Sequence, residues 1–86
     1  MKYRRIPSFK KAFARLPREV QVKAGKAFLL FRENPNHPSL RIKRVRGVPG
    51  VWEGRIDIRY RFTFHYEDDT VVFRNIGPHN ILERKP

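Results

Sequence analysis

Eighty-six residues, 40% hydrophobic and 13% aromatic, make a single domain (1–86) with one small core, because a chain this short buries only roughly 60% of its unfolded surface. Twenty Lys and Arg against eight Asp and Glu leave a net charge of +12, which predicts attraction to polyanions and excludes an acidic or neutral surface. The absence of cysteine excludes disulfides and thiolate metal sites. The longest apolar run, Ala27 to Phe31, is too short to span a bilayer, and no signal-like stretch follows Met1, so the chain reads as cytoplasmic with no membrane contact.

Residues 2–6 read as a short strand closed by Pro7, with Ser8 as N-cap of a helix whose stripe is Phe9, Ala12, Phe13 and Leu16. Pro17 ends that helix and starts a second one, in which Val20, Ala24, Ala27, Phe28 and Phe31 form the apolar stripe while Lys23, Lys26 and Arg32 face away. The two prolines of Asn34-Pro35-Asn36-His37-Pro38 make a loop. The segment Arg41-Ile42-Lys43-Arg44-Val45-Arg46 reads as a basic strand suited to a nucleic-acid backbone; a charge-protected sheet edge is the competing reading.

From Leu40 onward the period is two. Even positions Trp52, Ile56, Ile58, Tyr60, Phe62, Phe64 and Tyr66 are apolar, and odd positions Glu53, Arg55, Asp57, Arg59 and Arg61 are charged. A hairpin across 51–66 keeps the even set inward if its loop is the three residues Asp57-Ile58-Arg59; one long bent strand is the alternative. Glu67-Asp68-Asp69-Thr70 is a second turn, which pairs Tyr66 with Val71 and Phe64 with Phe73. Thr63 and Arg74 then share the outer face, as do Val72 and Ile76, and Gly77-Pro78 ends the last strand. The fold class predicted is α+β, order β-α-α-β-β-β, with two helices packed on an antiparallel sheet.

That register sets Arg55 directly opposite Arg61 and Glu53 opposite Thr63. Opposed like charges destabilise a ladder by roughly 0.2–1 kcal/mol, so the pair points to an anion held between them, and the guanidinium fork suits phosphate. Metal-independent RNA cleavage needs a base for the 2′-hydroxyl, cations for the phosphorane and an acid for the 5′-oxygen. Glu53 is the candidate base, Arg55 and Arg61 the phosphate clamp with Arg74 in support, and His79 the acid. A salt bridge for Glu53 and a plain surface role for His79 are the competing readings. His37, between two prolines, is a further candidate acid–base or stacking group, with a structural loop role as its rival. Arg41, Lys43, Arg44, Arg46 and Arg59 complete the candidate phosphate-binding set. His65 falls at the far end from the arginines, Trp52 reads as core, and no residue spacing suggests a metal or a cofactor.

The ordered set His37-Pro38-Ser39-Leu40-Arg41, Lys43, Gly47, Trp52-Glu53, Arg55-Ile56, Tyr60-Arg61, an acidic turn and Ile76-Gly77-x-His79 resembles the RelE/ParE superfamily of type II toxin–antitoxin toxins across essentially the whole chain. The resemblance implies a microbial-RNase-like α+β domain. For the RelE branch it implies a ribosome-dependent endoribonuclease that cuts mRNA and stalls translation, with Arg55, Arg61 and His79 as site residues, and it implies an acidic antitoxin as partner. Glu53 stands where some members carry a basic residue, and residues 80–86 lack the tyrosine that some members place there. A ParE-like gyrase inhibitor, a non-catalytic nucleic-acid-binding module and a decayed toxin retained for antitoxin binding are the other readings.

Overall fold

A computed structural model describes residues 1–86. Strand β1 (Lys2–Arg5) leads into α1 (Pro7–Ala14) and α2 (Arg18–Glu33), followed by a 3-10 turn (Pro38–Leu40), β2 (Lys43–Arg44), β3 (Trp52–Arg55), β4 (Tyr60–Glu67), β5 (Thr70–Pro78) and a short α3 (Ile81–Arg84). No helix is long and apolar enough to cross a membrane.

Both long helices lie on one face of a five-stranded sheet of order β1-β5-β4-β3-β2. Phe9, Leu16, Val20, Ala24, Ala27 and Phe31 from the helices meet Phe62, Phe64, Val71, Phe73 and Ile76 from the sheet in one cluster. Phe31 stands 5.0 Å from Phe64 and 5.8 Å from Phe62, ring centroid to centroid. These tilted and edge-on contacts add to a burial term of about 1.5–3 kcal/mol per ring. Trp52 is half-buried against the same cluster, as its even position predicts. Gly54, opposite Phe62 on the core side, has no room for a Cβ, which would run into the Phe62 ring and the Ile42 methyl.

The expected α+β class and hairpin register hold, with several differences in detail. β1 pairs in parallel with β5, so the sheet is mixed. Ser8 does not cap α1: Pro7 takes the first helical position after Ile6, and the Ser8 hydroxyl donates instead to the Arg74 carbonyl. Pro17 stands just outside α2 as its cap residue. The basic segment 41–46 is a strand only at Lys43–Arg44, because Arg41 turns left-handed (φ 45°) to close the 3-10 turn, and Gly47 and Gly50, both near φ 80°, fold the chain back. Ile58 is exposed rather than inward, since it caps the tip of the β3–β4 hairpin.

Ile76 is in the core, not on the outer face. The β4–β5 register shifts between Thr63 and Phe64: Phe64 faces Phe73, but Thr63 faces Asn75. One extra residue in β5 reverses the alternation beyond it, so Phe73 and Ile76 both point inward while Arg74 and Asn75 serve the other side. Val72, expected on the outer face but not solvated, is fully buried there.

Candidate nucleic-acid interface

The outer face of β3 and β4 carries the candidate residues. Arg55 stands directly opposite Arg61, and Glu53 opposite Thr63 and Lys43. The three-residue loop works without glycine because Asp57 organises it: its Oδ1 accepts the amides of Arg59 (2.8 Å) and Tyr60 (2.9 Å). Burial alone would raise the Asp57 carboxyl, but those two amides and Lys23 outweigh it and hold the group below its ordinary value.

The Asp57 carbonyl also positions both arginines. Arg61 donates to it at 2.6 Å and to the Tyr60 carbonyl at 3.0 Å, and Arg55 reaches it at 3.3 Å. Neither guanidinium forms a salt bridge; the carboxylate pairs in the molecule are Arg4–Glu67, Lys23–Asp57 and His65–Glu67. Burial, and then the neighbouring Arg55, push the Arg61 guanidinium below its ordinary value, while Glu53 and Asp57 oppose that and Arg41 adds to it. Arg61 therefore sits in a field of two other arginines, one of them delivered by the left-handed backbone at Arg41.

Glu53 is only 6% exposed, yet its carboxylate forms neither a hydrogen bond nor a salt bridge. Glu53 thus forms no ion pair with Arg55 or Arg61 in this structure, although its charge still acts on Arg61. No side-chain oxygen in the molecule is both buried and unpartnered, so the Glu53 carboxylate keeps contact with solvent, on the same face as the arginine pair.

His79 follows β5 at the arginine end of the sheet, where its amide donates to the Arg59 carbonyl at 2.8 Å; the residue is exposed. His37 lies apart from these groups. Its Nδ1 accepts the Ser39 amide at 3.2 Å and stands 2.8 Å from the Ser39 hydroxyl, so it caps the 3-10 turn. Arg44 stacks over the Trp52 ring at 5.1 Å, Arg46 is exposed in the turn after β2, and Arg59 is exposed at the hairpin tip.

Two features escaped the sequence. The outer face is not open along its whole length: Thr63 is fully buried, Thr63 Oγ and Arg74 Nε both donate to the Pro86 carbonyl, and Asn75 Nδ2 donates to the Lys85 carbonyl. Gly77 permits this return, since a Cβ there would press on the Ile81 side chain at 2.9 Å. The Gly77-Pro78 corner was the available signal. The second is a chain of contacts across the face: Glu67 accepts from Arg4 (2.7 Å) and meets His65 Nε2 (3.0 Å), and His65 Nδ1 meets the Arg74 guanidinium (2.9 Å). Arg74 can only donate, so Nδ1 accepts and Nε2 carries the proton.

No protein-family model matches the sequence, and no curated protein is similar to it. Solved structures are similar in fold. YafQ from E. coli strain BL21(DE3) superposes with a TM-score of 0.78 at 13% identity, covering 94% of this chain and 96% of that one. A YoeB/ParE toxin from Agrobacterium tumefaciens gives 0.75 at 16% identity, covering 92% and 99%. The RelB–RelE antitoxin–toxin complex from Methanococcus jannaschii gives 0.75 at 16% identity, covering 96% and 98%. This chain has the fold of those toxins.

Proposed function

We propose that the chain is the toxin of a type II toxin–antitoxin pair and acts as a metal-independent endoribonuclease on mRNA in translation. The observation that carries this reading is the arginine pair: two cations set face to face, neither in a salt bridge, beside a Glu53 carboxylate that is itself free of ion pairs. A phosphodiester between the guanidinium groups would relieve the repulsion of Arg55 and Arg61. Glu53 would take the proton of the 2′-hydroxyl as its oxygen attacks phosphorus. The two arginines would hold the added charge of the five-coordinate phosphorane, and His79 would protonate the departing 5′-oxygen, leaving a cyclic phosphate and a free 5′-hydroxyl. Positioned acids and bases contribute about 10²–10⁴-fold each, and fixed cations at the developing charge about 10²–10³-fold.

Arg41, Lys43 and Arg74 extend the positive field for the rest of the strand; Arg44, Arg46 and Arg59 add long-range attraction. The acidic partner expected of such a toxin would cover this same face, and the M. jannaschii fold relative was solved as an antitoxin–toxin complex. Induction of the wild-type chain should arrest growth and leave mRNA ends inside translated codons. Glu53→Gln, Arg61→Ala and His79→Ala should each abolish the arrest while the folded protein still binds its antitoxin. Unchanged toxicity in all three variants would remove the assignment; a DNA-damage response without mRNA cuts would favour a gyrase-directed toxin.

A further inference from the structure

One cavity lies outside the arginine pair. It has about 640 Å³ and sits between α1, the β5 bulge, the loop after β2 and the C-terminal residues. Lys11, Arg15, Arg74 and Lys85 line it, and no Asp or Glu does. Lys11, Arg15 and Lys85 take part in no salt bridge. Four cations gather on one concavity with no acidic side chain among its lining residues, and of them Arg74 is held by the Pro86 carbonyl and His65 Nδ1.

The cavity is built rather than incidental. The bulge turns both Arg74 and Asn75 toward it, the Ser8 hydroxyl ties α1 to the Arg74 carbonyl at 3.3 Å, and Asn75 ties down Lys85 at 2.7 Å. Bulges commonly re-aim side chains beside functional sites. Ile6, Ala12 and Val48 supply the cavity's apolar lining. A lining that combines cations with apolar side chains fits a nucleotide, phosphate on the cations and base on the apolar groups, and the volume is in the ordinary range for small-ligand sites. Asn75 faces Thr63, and Gly77, two residues on, faces Arg61. One strand spacing and two residue rises put the cavity's edge about 8 Å from the Arg61 backbone.

We propose that this cavity is a second subsite, which takes one nucleotide of a single-stranded RNA whose scissile phosphate lies between Arg55 and Arg61. The subsite rests on the reading of the sheet face as an RNA-holding surface. It would set which stretch of strand is gripped, independently of the cleavage chemistry.

The test is binding of a labelled single-stranded RNA decamer to the full chain across a salt series, read by fluorescence anisotropy. Each phosphate contact on a single strand contributes about 0.7 to the slope of log affinity against log salt. Lys11→Ala/Arg15→Ala should therefore flatten the slope by about 1.4 if each residue holds one phosphate. Lys10→Ala/Arg18→Ala removes the same charge from outside the cavity and should change it less. Titration with AMP should perturb amide resonances of residues 8–15 and 74–75 at lower concentration than inorganic phosphate does. Equal flattening by the two double variants would reduce the effect to general charge and overturn the subsite. So would AMP and phosphate binding alike, or Lys11→Ala/Arg15→Ala losing an acidic partner peptide while keeping RNA. A wild type that binds the decamer with the expected slope and cuts nothing would sink the nuclease reading alone and leave the subsite standing.

Discussion

Replacing Arg55 by Gln tests the electrostatic logic of the face without relying on activity. Arg55 and Arg61 are directly opposed, and such pairs destabilise a ladder by about 0.2–1 kcal/mol. Arg55 contributes only one long hydrogen bond, 3.3 Å to the Asp57 carbonyl, whereas Arg61 keeps its own at 2.6 and 3.0 Å. Relief of repulsion should therefore outweigh the lost contact, and Arg55→Gln should be the more stable protein by about 0.2–1 kcal/mol. For a domain of this size that is a rise of about 1–8 °C in Tm. Urea unfolding followed by the fluorescence of Trp52 gives the difference directly. The gain should shrink near 1 M salt, where the screening length is about 3 Å, and inorganic phosphate should stabilise the wild type more than the variant, because a ligand stabilises only the form that binds it. If the site is catalytic, cleavage should fall by about 10²–10³-fold in the same variant. A variant less stable than wild type at low salt, or a gain indifferent to salt, would refute the claim that this pair is strained for an anion.

Two further substitutions probe the frame beneath the site. Gly54→Ala forces a methyl group into the buried Phe62 ring and should cost about 1–3 kcal/mol; Gly25→Ala, in α2 with open space around it, should instead gain about 0.5–1 kcal/mol. Equal effects of the two in a urea melt would contradict the packing of β3 on β4. Asp57 is held below its ordinary value of 3.8, so its stabilising contribution is complete above that pH and is lost as the pH falls through the lower folded value. Asp57→Asn should accordingly lose less stability than wild type between pH 4 and 2 (about the range in which an Asp group of this kind titrates), and parallel acid-unfolding curves would show that the loop amides do not favour the ionised form.

Much of the site was legible because side-chain parity in a strand is rigid. Once Phe62 and Phe64 must face the helices, Arg55, Arg61, Glu53 and Thr63 are committed to the opposite side, and a three-residue loop fixes who meets whom. The loop itself read weakly for want of Gly or Asn, yet Asp57 does their work by accepting two amides. What parity could not reveal was the place where it breaks. A single added residue at Arg74–Asn75 leaves no mark on composition, so strand parity alone puts Ile76 on the wrong side and gives no sign of the cavity that Arg74 and Asn75 line. The basic segment failed for a related reason: six residues of strand-like pattern cannot outweigh the left-handed turn at Arg41 and the glycine turns that follow. His37 was readable as a loop residue, but its use of Nδ1 on Ser39 depends on the 3-10 turn that Pro38 begins.

The parallel pairing of β1 with β5 bears on how the molecule is made. Lys2 meets Thr70 across 67 residues of intervening chain, and β5 lies between the first strand and the rest of the sheet. During synthesis the helices and β1 emerge with Phe9, Phe28 and Phe31 uncovered, because Phe64 and Phe73, which roof them, come last. So wide a loop closes late and slowly. The nascent chain thus leaves the ribosome without a finished arginine face, and assembly of that face is tied to the last strand's insertion into the middle of the sheet.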